Sequence, residues 1–209
     1  GSGRPWEQQY QINSTQTAVM GSWVTTGTIP TNLFSMQAVV TKNRVYLLGG
    51  SNGTAMQSAT YYAPINADGT LGTWTPGTAL PAGIASSQSI VTKNRVYLLG
   101  GNLGSGVSTT VYTAPINSDG SIGNWTTSAA LPGATYAAHA FVTKNRVYVV
   151  AGYGTAAVYT APINTDGTLG TWATGTAFPA ALHGCFVAVT KNRVYIMGGA
   201  TTTAAGSTV

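Results

Sequence analysis

The hexapeptide Thr-Lys-Asn-Arg-Val-Tyr decides the fold, because it occurs four times, at residues 41–46, 92–97, 143–148 and 190–195. Each copy follows a Val, and each is followed by two apolar residues and then by a glycine or an Ala-Gly pair. Recurrence of this kind is typical of a chain assembled from one supersecondary unit. The sequence therefore predicts four copies of a single structural repeat.

Three further landmarks keep constant distances from the hexapeptide. In each copy a Tyr precedes a Trp by 13 residues, the Trp precedes a Pro by 7, and the Pro precedes the Lys of the hexapeptide by 12. The landmarks are Tyr10, Tyr61, Tyr112 and Tyr159; Trp23, Trp74, Trp125 and Trp172; and Pro30, Pro81, Pro132 and Pro179. Length varies only between the Lys of one copy and the next Tyr, so packing is expected to fix the rest of the unit.

Each repeat is predicted to contain four short strands, because apolar and β-branched residues alternate between turn signals. In the second repeat we expect strands at about 87–92, 95–99, 107–116 and 121–127. Lys93-Asn94 predicts the first hairpin, with Asn in a positive-φ conformation, and 117–120 predicts another. Asp-Gly at 68–69, 119–120 and 166–167 marks the second hairpin in three copies. Four-stranded units at a period near 50 predict radially stacked blades.

These residues resemble the kelch repeat of β-propellers, in which an apolar strand ends in Gly-Gly and is followed by Tyr, Trp and Leu-Pro. The glycine pair is present at 49–50, 100–101 and 198–199, and Ala151-Gly152 replaces it in the third copy. The interval from Tyr to Trp is about six residues longer than is usual in kelch repeats. The resemblance covers residues 10–209 and implies an all-β propeller of four kelch-like, four-stranded blades. It implies no single function, since kelch propellers include enzymes, adaptors and adhesins.

The two ends of the chain fit together in the same repeat pattern. Residues 1–9 are expected to be a cloning remnant or an N-terminal extension, and residues 10–209 the propeller. Val209 aligns with Val111 and Val158, each of which a Tyr follows, so Tyr10 is the natural continuation. We therefore expect strands from both chain ends to complete one blade of a closed ring. The alternatives are a segment of a larger ring and an oligomer that shares its terminal strand, because residues 4–9 duplicate part of 203–209.

Charged residues are scarce, since the 209 residues include nine Lys or Arg and four Asp or Glu. An average soluble domain has about 25% charged residues, against 6% here. Binding to nucleic acid needs many basic contacts, so we expect no nucleic-acid partner. No apolar run approaches the roughly 20 residues of a membrane-spanning helix, so we expect no membrane insertion. Abundant Thr, Ser, Gly and Ala favours an extracellular, cell-surface or virion protein.

Eight of the nine basic residues belong to the hexapeptides and are expected on one end of the blades with the turn aspartates. A basic rim there would suit an acidic polysaccharide. We favour a structural role in the turns, with weak surface ion pairs. The structural turn residues are Lys42, Arg44, Lys93, Arg95, Lys144, Arg146, Lys191, Arg193, Asp68, Asp119 and Asp166.

The repeated tryptophans allow two interpretations. They would serve as sugar-stacking platforms, one per blade, or they would cover the blade edges and pack against the next unit. We favour packing, which is the more common role of Trp in an outer strand. Trp6 lies outside the repeat pattern and is expected to anchor the N-terminal strand.

The loops at the opposite end differ most among the four copies, which marks positions that packing does not dictate. Aligned positions hold Phe34, Ala85, Tyr136 and His183 in one set, and Gln37, Gln88, His139 and Phe186 in another. Such a ring around a central opening is the default ligand face of a propeller, although unconstrained sequence drift would give the same variation. The candidate ligand-binding residues are Phe34, Gln37, Asn52, Gln57, Gln88, Asn102, Tyr136, His139, Tyr153 and His183.

Enzymatic interpretations are weaker. A copper oxidase-like site would need His139 and His183 with a Tyr, and the sequence shows no local metal-ligand spacing. A sialidase-like site needs clustered Arg and acids near the axis. Cys185 is expected to be a buried structural thiol. We therefore expect no catalytic residue, metal or cofactor. The expected function is a non-enzymatic binding module for a glycan or protein, with self-association into a ring, fibre or virion-like structure as the alternative.

Overall fold

A computed structural model describes residue 25, residues 27–191 and residues 193–201. Within these residues the chain is all-β, without a helix, and its strands form four antiparallel sheets of four, four, four and two strands. The predicted all-β class and the repeated sheet units are confirmed. The predictions for Tyr10, Trp23 and Val209, including the blade completed from both chain ends, lie outside the described residues.

Each complete sheet is an antiparallel meander in which strands pair in chain order. The first sheet contains β1 (Gln37–Val40), β2 (Arg44–Leu48), β3 (Thr60–Pro64) and β4 (Thr75–Pro76). The second contains β5 (Gln88–Val91), β6 (Arg95–Leu99), β7 (Val111–Pro115) and β8 (Thr126–Thr127). The third contains β9 (His139–Val142), β10 (Arg146–Val150), β11 (Val158–Pro162) and β12 (Ala173–Thr174). The described part of the fourth is β13 (Phe186–Val189) and β14 (Val194–Met197).

The outer strands are shorter than the sequence predicts. In the second repeat β7 begins at Val111 rather than near 107, because 102–107 closes a separate bridge between Asn102 and Val107. The last strand is only Thr126–Thr127, because Ile116 and Ile122 pair as an isolated bridge before it.

The first hairpin also differs from its prediction. Thr92 N–H donates to the carbonyl of Arg95 at 2.9 Å across the two-residue turn. Asn43, Asn94 and Asn145 are not among the residues with positive φ, so the expected left-handed Asn is wrong at these three turns. The second hairpin does use its glycine, since Gly69, Gly120 and Gly167 have φ of +84°, +82° and +82°.

Neighbouring sheets pack face to face through their apolar strands. The first strands of successive sheets lie side by side, in the order β1, β5, β9 and β13. Strand alternation sends Tyr46 and Leu48 of β2 toward the second sheet, where they join Tyr112 and Trp125 in one buried cluster. A second buried cluster joins the second and third sheets around Tyr97.

The same hydrogen bonds recur at both of these junctions. Thr41 Oγ1 donates to the carbonyl of Gly120 at 2.7 Å, and Thr92 Oγ1 donates to that of Gly167 at 2.8 Å. The hydroxyl of Tyr97 also donates to Gly167, at 3.2 Å. The Thr and Tyr of the hexapeptide therefore hold the Asp-Gly turn of the next sheet, which explains why they repeat.

Candidate ligand-binding face

Two loops of each repeat meet at one end of its sheet, and together they form what we call the loop face. One loop follows the second strand and the other precedes the first strand. The loop face comprises residues 33–36, 49–59, 84–87, 100–110, 135–138, 151–157 and 182–185. Paired backbone hydrogen bonds join the two loops at Phe34 and Ser51, at 3.0 and 2.9 Å, and at Ala85 and Asn102, at 3.0 and 2.8 Å. The aligned variable positions therefore share a fixed backbone frame.

Backbone hydrogen bonds also connect the loops of successive repeats. Gly50 N–H donates to the carbonyl of Ile84 at 2.8 Å, and Gly101 N–H donates to that of Thr135 at 2.7 Å. A Cβ on Gly101 would lie 2.8 Å from the carbonyl oxygen of Ala85, so this position requires glycine. The second glycine at these two positions thus links its repeat to the next one.

Three predicted ligand-binding residues form an aromatic cluster across the third and fourth repeats. The Tyr136 and Tyr153 rings are 5.3 Å apart between centroids, and the Tyr153 and His183 rings are 4.8 Å apart. Tyr153 N–H donates to the carbonyl of Tyr136 at 3.1 Å, which fixes the two loops together. Tyr153 is 48% exposed, while Tyr136 and His183 are half-buried. The cluster therefore exposes aromatic surface to solvent, and the backbone hydrogen bond between its loops holds that surface in place.

Most predicted amide ligands instead stabilise their own loops. Asn52 Oδ1 accepts hydrogen bonds from the backbone of Thr54 and Ala55, and Asn102 Oδ1 accepts one from Gly104. Gln57 Nε2 donates to the carbonyl of Ala55 at 2.9 Å. Asn side chains commonly cap tight turns in this way. Their presence in the variable loops is therefore explained by local structure.

The remaining two amides lie at the starts of the inner strands. Gln37 Oε1 accepts hydrogen bonds from both the backbone N–H and the hydroxyl of Ser89, each at 3.1 Å, and so connects β1 to β5. Gln88 Nε2 donates to the carbonyl of Ser87 at 3.0 Å. Gln37 therefore has a structural role in joining the first two repeats.

His139 occupies the position of Gln37 and Gln88 in the third repeat. Its ring lies 6.5 Å from that of Phe186, which is 73% exposed. Partial burial lowers the pKa of His139, and a hydrogen bond with the backbone of Cys185 offsets part of that effect. His139 consequently favours its neutral form in the folded chain.

We expect the stability of the protein to fall when the pH drops below about 6.5, the ordinary pKa of His in the unfolded chain. The unfolded state then binds a proton that the folded state, with its lower His139 pKa, resists. His139→Gln, the residue found at the two aligned positions, should weaken this dependence. Urea unfolding at pH 7.5, 6.5 and 5.5 gives the free energy of unfolding at each pH. If this free energy falls as steeply with decreasing pH in the variant as in the wild type, the assignment to His139 is refuted.

The basic hairpins and aspartate turns lie at the end of the sheets that carries the Thr41 to Gly120 contact. Arg44 forms an ion pair with Asp119 at 3.4 Å, and its guanidinium lies 5.1 Å from the Tyr62 ring. The pKa of Asp119 is lowered by the hydroxyl and backbone N–H of Ser121, with a smaller contribution from Arg44. The carboxylate of Asp119 therefore serves mainly as a turn cap.

Trp125 and Trp172 pack at the junctions between sheets. Trp125 is 8% exposed and lies in the cluster with Tyr46. Trp172 is half-buried, and its Nε1 donates to the carbonyl of Ala129 in the preceding repeat at 3.2 Å. A shallow cavity of about 520 Å³ borders it, also lined by Leu169. This geometry agrees with the prediction that these tryptophans pack against a neighbouring repeat.

One backbone feature of the loop face was difficult to predict from the sequence. Ser35, Ser86 and Ala137 occupy aligned positions with φ of 53°, 53° and 50°. Ser86 N–H donates to the carbonyl of Ser35 at 2.8 Å, and Ala137 N–H donates to that of Ser86 at 3.0 Å. Gly184 at the fourth aligned position, with φ of 62°, is the one hint in the sequence that the left-handed conformation is needed.

The remaining candidates for site chemistry were a thiol and a metal centre. Cys185 is buried, and burial raises the pKa of its thiol. In the described part of the chain, no group of three or more His, Cys, Asp or Glu side chains is placed to hold a metal ion. Residues 27–191 and 193–201 likewise contain no apolar helix of membrane-spanning length.

Comparison with known proteins assigns no family. No protein-family profile matches the chain, and no curated protein matches it.

Proposed function

We propose that the four sheets are blades of a kelch-like β-propeller whose loop face binds a glycan or protein ligand without catalysis. The side-by-side order of β1, β5, β9 and β13 supports a circular arrangement of the inner strands. The hydrogen bond from Thr41 to Gly120 recurs as the one from Thr92 to Gly167, which supports the same relative placement of each sheet and the next. Propeller blades are related in this way, by an equal rotation from each blade to the next about one axis.

The aromatic cluster of Tyr136, Tyr153 and His183 carries the functional proposal. Tyr and His combine an apolar ring with a polar group, so they contact the apolar face of a sugar or peptide while hydrogen-bonding to it. The cluster is formed by loops of two repeats, each tied to its sheet by backbone hydrogen bonds. Functional side chains held on loops by a rigid scaffold are typical of binding proteins.

The ligand is proposed to be uncharged. The loop face contains no Asp, Glu, Lys or Arg, and His183 is its one histidine. Without charged side chains the loop face offers stacking and neutral hydrogen bonds, which suit a neutral glycan better than an acidic polysaccharide. The composition supports an extracellular, cell-surface or virion location, where such ligands occur.

Replacing Tyr136 by Ala is expected to weaken binding to a glycan-array ligand by about 5- to 30-fold, since loss of a contacting aromatic ring costs roughly 1–2 kcal/mol. Tyr136→Phe keeps the ring and should retain most of the affinity. Binding of both variants and of His183→Ala is measured by array screening and titration, with pull-down for protein ligands. The proposal fails if neither Ala variant alters binding to any ligand that the wild type recognises.

A second candidate function is architectural self-association. Val189, Val194 and Tyr195 of the fourth sheet are 44%, 44% and 40% exposed, whereas Tyr46 and Tyr97, which align with Tyr195, are 3% and 1% exposed. An exposed apolar strand pair is a potential site of pairing with another chain. Light scattering tests this candidate, because a strictly monomeric mass would exclude it.

A further inference from the structure

Asn52 and Gly53 form the one Asn-Gly pair of the chain. The pair lies on the loop face, in the loop after β2, at a turn that the bridge between Ser51 and Met56 closes. Residues 52–55 are all exposed. Asparagine is one of the thermolabile residues, and glycine, which has no Cβ, leaves its own backbone nitrogen unshielded. The side-chain amide of Asn52 is therefore open to attack by the backbone nitrogen that follows it.

The turn polarises the side-chain amide of Asn52. Its Oδ1 accepts hydrogen bonds from the backbone N–H groups of Thr54, at 3.0 Å, and Ala55, at 2.9 Å. When a nucleophile adds to Cγ, negative charge develops on this oxygen, and N–H groups that already point at it stabilise that charge. The two hydrogen bonds that cap the loop thus also make Cγ of Asn52 a better electrophile.

The backbone nitrogen of Gly53 is held weakly. Its N–H donates to the hydroxyl oxygen of Ser51 at 3.2 Å, the long end of the usual range, and among the described residues no backbone carbonyl accepts from it. Gly53 has φ of +92°, and no described atom lies within 4 Å of the position that a Cβ would take there. The turn therefore leaves room for the nitrogen of Gly53 to approach Cγ of Asn52.

Asn102, in the equivalent loop of the second repeat, has a different setting. It is half-buried, and its Oδ1 accepts from the backbone N–H of Gly104 at 2.7 Å. The N–H of the next residue, Leu103, donates to the carbonyl of Gly106 at 3.1 Å, and the Leu103 side chain packs against the cluster between the first and second sheets. Attack on Asn102 must break that backbone hydrogen bond and displace a packed side chain. Asn102 is therefore the internal reference for Asn52.

The three Asp-Gly pairs, at 68–69, 119–120 and 166–167, are also less reactive than Asn52. In each pair the glycine N–H donates to the backbone carbonyl of the Asn three residues earlier, at 2.9, 2.9 and 3.0 Å. The hydroxyl and backbone N–H of the residue two positions after each Asp lower the pKa of its carboxyl group. These carboxylates are ionised at neutral pH, and a carboxylate is a poorer electrophile than an amide.

We propose that Asn52 is a site of spontaneous deamidation through a succinimide with Gly53. The Gly53 nitrogen, after losing its proton to a base in solution, attacks Cγ of Asn52 and forms a new C–N bond. The bond from Cγ to Nδ2 breaks, and ammonia leaves after taking a proton from water. Water then opens the five-membered ring and leaves aspartate or isoaspartate at this position. The reaction consumes water and releases ammonia, without oxidation or reduction.

The product changes the chemistry of the loop face. Because this face contains no Asp, Glu, Lys or Arg, the new carboxylate is the first charge on it. Aspartate keeps an oxygen that accepts from Thr54 and Ala55, so the turn is retained. Isoaspartate adds a carbon to the backbone of the turn and weakens its hydrogen bonds. An ageing population of the protein thus acquires an acidic loop face.

Peptide mapping of the full folded chain, incubated at mildly alkaline pH, measures the reaction. Trypsin releases residues 45–93 with Asn52 and residues 96–144 with Asn102. Deamidation replaces an NH₂ group by OH and raises the peptide mass, and fragment ions assign the change to one Asn. Isomerisation at Asp-Gly leaves the mass unchanged and is not counted. We expect Asn52 to convert at least about tenfold faster than Asn102.

The same chain unfolded in urea separates the effect of the turn from that of the Asn-Gly dipeptide itself. Asn52 should convert at least as fast in the folded chain as in urea, whereas Asn102 should convert faster in urea. Slower conversion of Asn52 in the folded chain than in urea would overturn the proposal, as would similar rates for Asn52 and Asn102 in the folded chain. The mass measurement involves no ligand, so the loop-face function succeeds or fails separately.

Discussion

Tyr97→Ala is expected to destabilise the protein by about 3–5 kcal/mol, the usual cost of removing a buried aromatic ring. Tyr97 is 1% exposed and lies at the centre of the cluster between the second and third sheets. Its hydroxyl donates to the carbonyl of Gly167 at 3.2 Å, so the substitution removes both packing and a bond between sheets. Urea denaturation followed by fluorescence measures the loss.

Tyr97→Phe is the matched control because it removes the hydroxyl alone. Thr92 Oγ1 continues to donate to Gly167, so this variant should lose about 1 kcal/mol. Phe186→Ala removes a ring that is 73% exposed and should cost less than Tyr97→Ala. Equal losses for Tyr97→Ala and Phe186→Ala would contradict the placement of the core between the sheets.

Gly100→Ala is expected to destabilise the protein by about 2–5 kcal/mol, through left-handed strain and overpacking. Gly100 has φ of +62°, and a Cβ there would lie 2.5 Å from the backbone carbonyl oxygen of Thr135. That carbonyl accepts the hydrogen bond from Gly101 that joins the second and third repeats. The added methyl group therefore pushes the two repeats apart, and thermal unfolding reports the effect.

Gly184→Ala separates backbone strain from steric conflict. Gly184 has the same φ of +62°, but no described atom lies within 4 Å of the position that a Cβ would take there. Ser35, Ser86 and Ala137 already occupy the aligned positions with positive φ. We expect a loss of about 1 kcal/mol from conformational strain alone. A loss as large as that of Gly100→Ala would show that contact with Thr135 is not the cause.

The repeated sheets were predictable from the sequence because the residues that form them are repeated. The hexapeptide places a two-residue turn between alternating apolar strands, and the Asp-Gly pairs mark the next hairpin. Only local alternation and turn chemistry are needed to predict these features. The strand ends were less predictable, since the isolated bridges at Asn102 and Ile116 depend on how each loop closes.

The binding face was predictable as a region but not residue by residue. Variation among the copies identified Tyr136, Tyr153 and His183, and the structure brings these three rings together. The same variation also identified Asn52 and Asn102, whose side chains cap their own loops. Sequence variation does not distinguish residues of the aromatic cluster from residues that cap their own loops, because both lie outside the repeated core.

The repeat arrangement also explains the scarcity of charge. The hexapeptide bases and the aspartates occupy turns at one end of the sheets, where Arg44 pairs with Asp119. The loop face at the opposite end is uncharged and carries the aromatic cluster. This division of the molecule makes two alternative ligand surfaces easy to distinguish by experiment.

Chemical-shift mapping with a neutral oligosaccharide selected on the array tests the proposed binding face most directly. The loop-face proposal predicts that the largest shifts fall at Tyr136, Tyr153 and His183, with none at the hexapeptide hairpins. Shifts centred on Lys42, Arg44 and the aligned bases would contradict it and would place binding on the basic end instead.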